Sequence, residues 1–81
     1  YMQDIFERMQ RIIADQFSVD PEEITPETVF TDDLGADSVD LVELVMSMEE
    51  EFDIGEVREE ELATLSTVDD CVNFLTNKLD D

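Results

Sequence analysis

The chain has 81 residues, of which 24 are Asp or Glu and four are Lys or Arg, so its formal charge is -20 with no His. That length allows one small domain with a marginal core, spanning residues 1–81, and an apolar content of 42% keeps it out of the disordered class despite the charge. Such a field excludes nucleic acid and anionic membrane as partners and favours basic protein surfaces.

Tyr1 ahead of Met2 reads as an added residue before a native start at Met2. From there Met2, Ile5, Phe6, Met9, Ile12, Ile13 and Phe17 recur at helical spacing, with Asp4, Arg8, Arg11 and Asp15 opposite, which predicts an amphipathic first helix over residues 2–17. Residues 18–36 read as a long connection with short turns. In it, Asp20-Pro21 and Thr25-Pro26 each offer a capping side chain before a Pro at a first helical position, and Ile24, Val29, Phe30 and Leu34 are anchors. A loop this long in so small a domain is more often functional than idle.

A second helix is expected from Asp37 or Ser38 to about Phe52, with Leu41, Leu44, Val45, Met48 and Phe52 on its apolar face. Asp37 is placed to cap it, and Asp40 and Glu43 suit its positive end. Asp53-Ile54-Gly55 breaks the pattern. Residues 58–65 allow one short helix with Leu62 and Leu65 inward, and Ser66 or Thr67 then caps a last helix bearing Val68, Val72, Leu75 and Leu79 on one stripe. No segment alternates with a period of two. The expected fold is all-α: a small four-helix bundle of three longer helices and one short third helix, with a long loop between helices one and two.

The chemistry is bounded by what is missing. Without His there is no Ser-His-Asp triad and no His-ligated metal. There is no Gly-rich phosphate loop, and Arg8, Arg11, Arg58 and Lys78 are too dispersed to clamp a nucleotide. Between Ile12 and Val57 fifteen carboxylates occur with no Lys or Arg, and they read as a solvated acidic face. A calcium loop counted from Asp33 fails, because its sixth and twelfth places hold Ser38 and Leu44 where Gly and Glu are needed. Cys71 is alone, reads as a small core residue, and fits a reducing compartment; no apolar run suits a signal peptide or a membrane span. A soluble, cytoplasmic, monomeric protein is expected.

What remains is the start of the second helix. A Ser there is commonly a cap, yet the same position presents free N–H donors and a partial positive charge to a phosphodiester. The face of this helix turned away from the core carries Val39, Glu43, Met46 and Glu50, with Val42 and Glu49 on one shoulder and Asp40 and Ser47 on the other. Apolar side chains set among acids suit brief docking, in which charge speeds encounter and a few apolar contacts add specificity.

Leu34-Gly35-Ala36-Asp37-Ser38-Val39-Asp40, followed by Val42-Glu43-Leu44-Val45 and Glu49-Glu50-Glu51-Phe52, closely resembles the acyl carrier proteins of type II fatty acid synthesis. The resemblance covers nearly the whole chain. It implies that Ser38 carries a covalent 4'-phosphopantetheine arm, that Asp37 flanks it, and that growing acyl chains ride on the arm as thioesters. It implies a carrier and not an enzyme. Its partners would be a phosphopantetheinyl transferase (a holo-acyl-carrier-protein synthase), acyltransferases and synthesis enzymes with basic docking patches. Docking falls to Val39, Asp40, Glu43, Met46, Glu49 and Glu50. With the helical periodicity, it also makes Phe30, Leu44, Val45, Met48, Val57, Leu62, Leu65 and Val68 either an acyl shelter or ordinary core. Two places depart from the family pattern: Val39 stands where Leu is usual, and Asp53 to Arg58 replaces an Ile-Pro-Asp run with a loop one residue longer. The alternatives are a specialised polyketide or peptide carrier and, more distantly, an acidic calcium-binding regulatory module.

Overall fold

The computed structural model describes residues 1–80, and among them lie five α-helices and one 3-10 turn. Helix α1 spans Met2–Phe17, α2 Phe30–Leu34, α3 Ser38–Phe52, α4 Glu59–Leu62 and α5 Val68–Asp80. The three long helices match the expected spans, and α1 packs on both α5 and α3.

The core is the sum of their apolar stripes. Ile5, Met9 and Ile13 of α1 meet Leu44, Met48 and Phe52 of α3, and Val68, Cys71, Val72 and Leu75 of α5, all buried. Met2 and Leu79, assigned by periodicity to these stripes, are exposed instead, each in a terminal turn of its helix. Periodicity marks a face but not how far along the helix the partner reaches.

The connection after α1 is more ordered than a loop. Ser18 ends α1 in a left-handed conformation, φ 56. Asp20 then caps the 3-10 turn Pro21–Glu23 by accepting the Glu22 N–H at 2.9 Å. The Gln10 side chain of α1 donates to the Pro21 and Ile24 carbonyls, which fastens the turn to the bundle. Thr25-Pro26 does not open a helix as its cap-and-Pro pattern implied. The buried Thr28 hydroxyl accepts the Thr25 N–H at 2.9 Å and closes a turn there. Among the described residues the one extended contact is a bridge between Val29 and Thr67, flanked by Phe30 N–H to the Ser66 carbonyl and Val68 N–H to the Thr28 carbonyl.

Helix α2 was not expected. Its signals are local but faint: the Asp33 carboxylate accepts the Val29 N–H at 2.7 Å, and Gly35, φ 64, turns the chain out through a left-handed position. Phe30 anchors it to the core at 1% exposure. The short helix expected over residues 58–65 is a single turn, Glu59–Leu62, and the chain continues to Leu65 in turns made by Thr64 N–H to the Glu61 carbonyl and Leu65 N–H to the Leu62 carbonyl, with the Thr64 hydroxyl also donating to the Glu61 carbonyl at 2.7 Å. Thr67 and Asp70 cap α5 reciprocally, Asp70 N–H to the Thr67 hydroxyl and Thr67 N–H to the Asp70 carboxylate. The Thr67 N–H foremost, with the Ser66 N–H donating to the same oxygen at 2.9 Å, holds the Asp70 carboxyl below its ordinary range.

Candidate functional site

Helix α3 begins where Gly35 leaves α2, and its first turn is built by two acids. Asp37 is the N-cap: its carboxylate accepts the Asp40 N–H at 2.8 Å, and the Asp40 carboxylate accepts the Asp37 N–H at 3.0 Å. This capping box occupies the cap position one residue before Ser38, so Ser38 is not needed as the cap. Ser38 is the first helical residue and is exposed. Among the described residues, neither its N–H nor that of Val39 has a protein acceptor. A hydroxyl therefore stands at the positive end of α3, beside donors still free for an anion.

The two carboxylates in the turn that carries Ser38, those of Asp37 and Asp40, are engaged in the cap. Cys71 is no substitute nucleophile, since it is fully buried and burial, aided by the Asp70 charge, pushes its thiol up to about 12. Among the described residues no group of three or more His, Cys, Asp or Glu is arranged to hold a metal ion. Asp33, the first residue of the calcium loop considered above, is spent on the Val29 N–H.

Beside Ser38 an open cleft of about 700 Å³ runs between α3 and α4 with the segment leading into it. Ser38, Leu41, Val42, Val45, Met46 and Glu49 form its α3 side, and Glu56, Val57, Glu59 and Leu62 the other. Of the eight residues expected to shelter an acyl chain, three line this cleft: Val45, Val57 and Leu62. Phe30, Leu44, Met48, Leu65 and Val68 lie behind it in the closed core. Leu41, Val42 and Met46 line the cleft without having been assigned to it. Their signal was their distance along α3 from Ser38, one or two turns on the same side.

The outer face of α3 is acid and apolar together. Val39 is 63% exposed, Met46 58% and Val42 47%. Glu43 and Glu50 are exposed among them. Two of the six residues expected to dock partners have internal duties as well. Asp40 serves the capping box, and the half-buried Glu49 accepts the Val57 N–H at 2.7 Å. Where Asp53 and Gly55 take left-handed conformations, φ 51 and 76, the longer loop is thus fastened by Glu49. A second groove, of about 660 Å³, continues this face towards α1 through Met46, Glu43, Glu50 and Asp15.

Three of the four basic side chains, Arg8, Arg58 and Lys78, serve the fold. Arg8 donates to the Glu51 carboxylate at 3.0 Å and to the Glu51 carbonyl at 2.8 Å, and stacks 4.3 Å over the Phe52 ring, closing the last turn of α3. Glu61 receives the Arg58 backbone N–H, the Arg58 guanidinium and Lys78, which ties α4 to α5. Those bonds, the Arg58 N–H first, lower the Glu61 carboxyl to about 2. The outer face of α3 faces solvent with no basic side chain of its own.

A family model described as a phosphopantetheine attachment site matches residues 7–75. Three curated relatives named acyl carrier protein are similar over most of the chain. One from Thermosynechococcus vestitus is 50% identical over 76 residues, covering 94% of this chain and 93% of its own. Another, from Clostridium acetobutylicum, is 54% identical over 71 residues, covering 88% and 91%. The third, from Caulobacter vibrioides, is 49% identical over 77 residues, covering 95% and 97%.

Proposed function

This chain belongs to the acyl carrier proteins, and from that premise we propose that Ser38 is the residue that bears its phosphopantetheine arm and that the outer face of α3 is what visiting enzymes read. The protein is a carrier in fatty acid synthesis and not an enzyme. Bound to it, phosphopantetheine supplies a thiol on which acyl groups are held as thioesters.

The observation that carries the assignment of Ser38 is its position: an exposed hydroxyl at the first residue of α3, next to free N–H donors, at the mouth of an apolar-floored cleft. The residues fit the group. The Ser38 and Val39 N–H groups are free for a phosphodiester, Asp37 and Asp40 hold the turn rigid, and the cleft gives a long flexible substituent somewhere to lie. Ser38 has no base beside it, so the proton it gives up must go to the transferase.

The docking surface is Val39, Asp40, Glu43, Met46, Glu49 and Glu50. Its charge draws in enzymes with basic patches, and the exposed Val39 and Met46 supply the short-range contacts that tell one from another. The phosphopantetheinyl transferase, acyltransferases and synthesis enzymes are the partners this surface fits. The acyl chain enters along Val45, Val57 and Leu62, and a longer one reaches Phe30, Leu44, Met48, Leu65 and Val68 by wedging α3 from the helices behind it. No helix of the described chain is long and apolar enough to cross a membrane. A cytoplasmic monomer suits a surface this acidic and the lone buried thiol.

The test is a mass measurement. The apo-protein incubated with coenzyme A, magnesium and a phosphopantetheinyl transferase should gain one phosphopantetheine, and Ser38→Ala none. An unchanged wild-type mass with a transferase of proven activity, or equal loading of Ser38→Ala, overturns the reading.

A further inference from the structure

Residues 53–58 are the lip of the cleft, and very little holds them. Asp53 and Gly55 both sit in left-handed conformations, so the backbone there forms no regular ladder. Among the described residues, the backbone of Ile54 to Val57 makes one hydrogen bond to the rest of the protein: the Val57 N–H to Glu49 Oε2, at 2.7 Å. Ile54 and Val57 are only partly buried against the core. On the far side, α4 is tied to α5 through Glu61 and Lys78 at 3.1 Å. The lip is therefore pinned beyond its hinge at α4 and latched at the cleft by one carboxylate.

That carboxylate faces two ways. Glu49 lines the cleft with Val45 and Val57, yet it lies one residue before the exposed Glu50, on the shoulder of the face that presents Met46. Its charge is not answered by any basic side chain among the described residues; a backbone N–H is its only partner. Both bonds would be charge-assisted through the carboxylate, but a Lys or Arg adds a full opposite charge, so a basic side chain arriving at the α3 face pulls the Glu49 carboxylate outward against its bond to the Val57 N–H.

We propose that Glu49 is a positioning residue that couples docking to cargo access: in the free carrier it latches the Val57 backbone and keeps the cleft lip down, and a basic side chain of a docked enzyme draws it away and frees the lip. The coupling rests on the docking face proposed above, and the latch does not. With the lip released, Val57 moves off the α3 side and the cleft opens where Val45 and Leu62 face each other. The same contact that recognises an enzyme would thus open the shelter to it, and would leave cargo covered between visits.

Amide hydrogen exchange of the full chain, followed residue by residue, tests both halves. In the free apo-protein, Glu49→Ala should speed exchange of the Val57 amide about tenfold, whereas Glu49→Gln, which keeps an oxygen acceptor, should stay within about threefold of wild type. The amides of Met48 and Leu75 report whether the core is intact and should not change. Adding the transferase without coenzyme A should speed Val57 exchange in wild type by about fivefold or more and leave Glu49→Gln, which offers no charge to draw, unaccelerated. Equal Val57 rates in wild type and Glu49→Ala overturn the latch. Unchanged or slowed Val57 exchange in a complex shown by calorimetry to form overturns the coupling alone. A transferase that does not bind wild type overturns the docking face, and the coupling with it.

Discussion

The capping box below Ser38 makes a prediction whose size follows from two bonds. Asp37→Ala removes the acceptor of the Asp40 N–H, 2.8 Å away, and leaves the Asp40 carboxylate reaching back to a cap residue with no side-chain partner. Loss of an N-cap costs about 1 kcal/mol, and in a chain of 81 residues that is about 4–8 °C in Tm. Charge complicates the comparison with wild type, since taking one acid from a molecule at -20 relieves repulsion and works in the opposite direction. Asp37→Asn removes the same charge but keeps an oxygen that caps as well as Asp. The gap between Asn and Ala therefore isolates the cap. Thermal unfolding followed by helical circular dichroism should place Asp37→Ala about 4–8 °C below Asp37→Asn, and the transferase should load Ser38 more slowly in Ala than in Asn, because the turn that presents the hydroxyl has frayed. Equal midpoints for the two variants would refute the cap as the organiser of this turn. Equal midpoints for Asn and wild type would show in addition that the negative charge of Asp37 at the helix end is offset by repulsion from its neighbours.

Glu61 binds its proton less readily folded than unfolded, with a folded value of about 2 against an ordinary 4.5, so its contribution is complete above the unfolded value and is lost as pH falls between the two. The Tm of Glu61→Gln should accordingly lie below wild type at pH 6, with the difference closing as pH is lowered through that window; a pH-independent difference would refute the ion cluster as its source. Magnesium should raise Tm: if it binds the acidic surface with millimolar affinity, about 10 mM contributes about 1.4 kcal/mol, or about 6–11 °C, and a flat titration would show that self-repulsion does not limit stability. Glu43→Lys should leave Tm within about 2 °C yet slow loading by the transferase about tenfold at low salt, with the gap narrowing as salt rises. Unaltered loading would remove Glu43 from the docking face.

The long helices were readable because their causes are local. Ile5, Met9 and Ile13 fall on one stripe whatever they meet, and Thr67 and Asp70 are three residues apart at a helix start. Helix α2 escaped because Phe30 reads equally well as a loop anchor, and five residues are too few for a period to show. The lip at residues 53–58 escaped for the opposite reason. Its fastening is Glu49, eight positions upstream, and a bond between a side chain and a distant backbone N–H leaves no pattern in composition or spacing. The exposed place of Ser38 at the start of α3 was legible from the residues around it, and the solvent face of α3 from the wheel, since an exposed face is the complement of a buried one. The cleft was not. Leu44 and Val45 are neighbours with similar side chains and both are buried, yet Val45 also borders the cleft and Leu44 does not, a difference set by the gap left between α3 and α4.

That last distinction explains an oddity of α3 itself. A helix that only packs confines its apolar residues to one stripe, as α1 does with Ile5, Met9 and Ile13. Helix α3 has apolar residues on three sides. Leu44, Met48 and Phe52 are buried, Leu41 and Val45 border the cleft, and Val39 and Met46 are open to solvent at 63% and 58% exposure. Exposed apolar side chains clustered on one helix invite self-association. The surrounding Glu43 and Glu50 oppose it, since two copies of this chain repel while a basic enzyme does not. On the docking reading proposed above, the charge selects who reaches the apolar contacts, and the apolar contacts are what can be told apart on arrival. Acid that looked at first like a device for solubility is better understood as the condition under which α3 can keep an adhesive face uncovered beside Ser38.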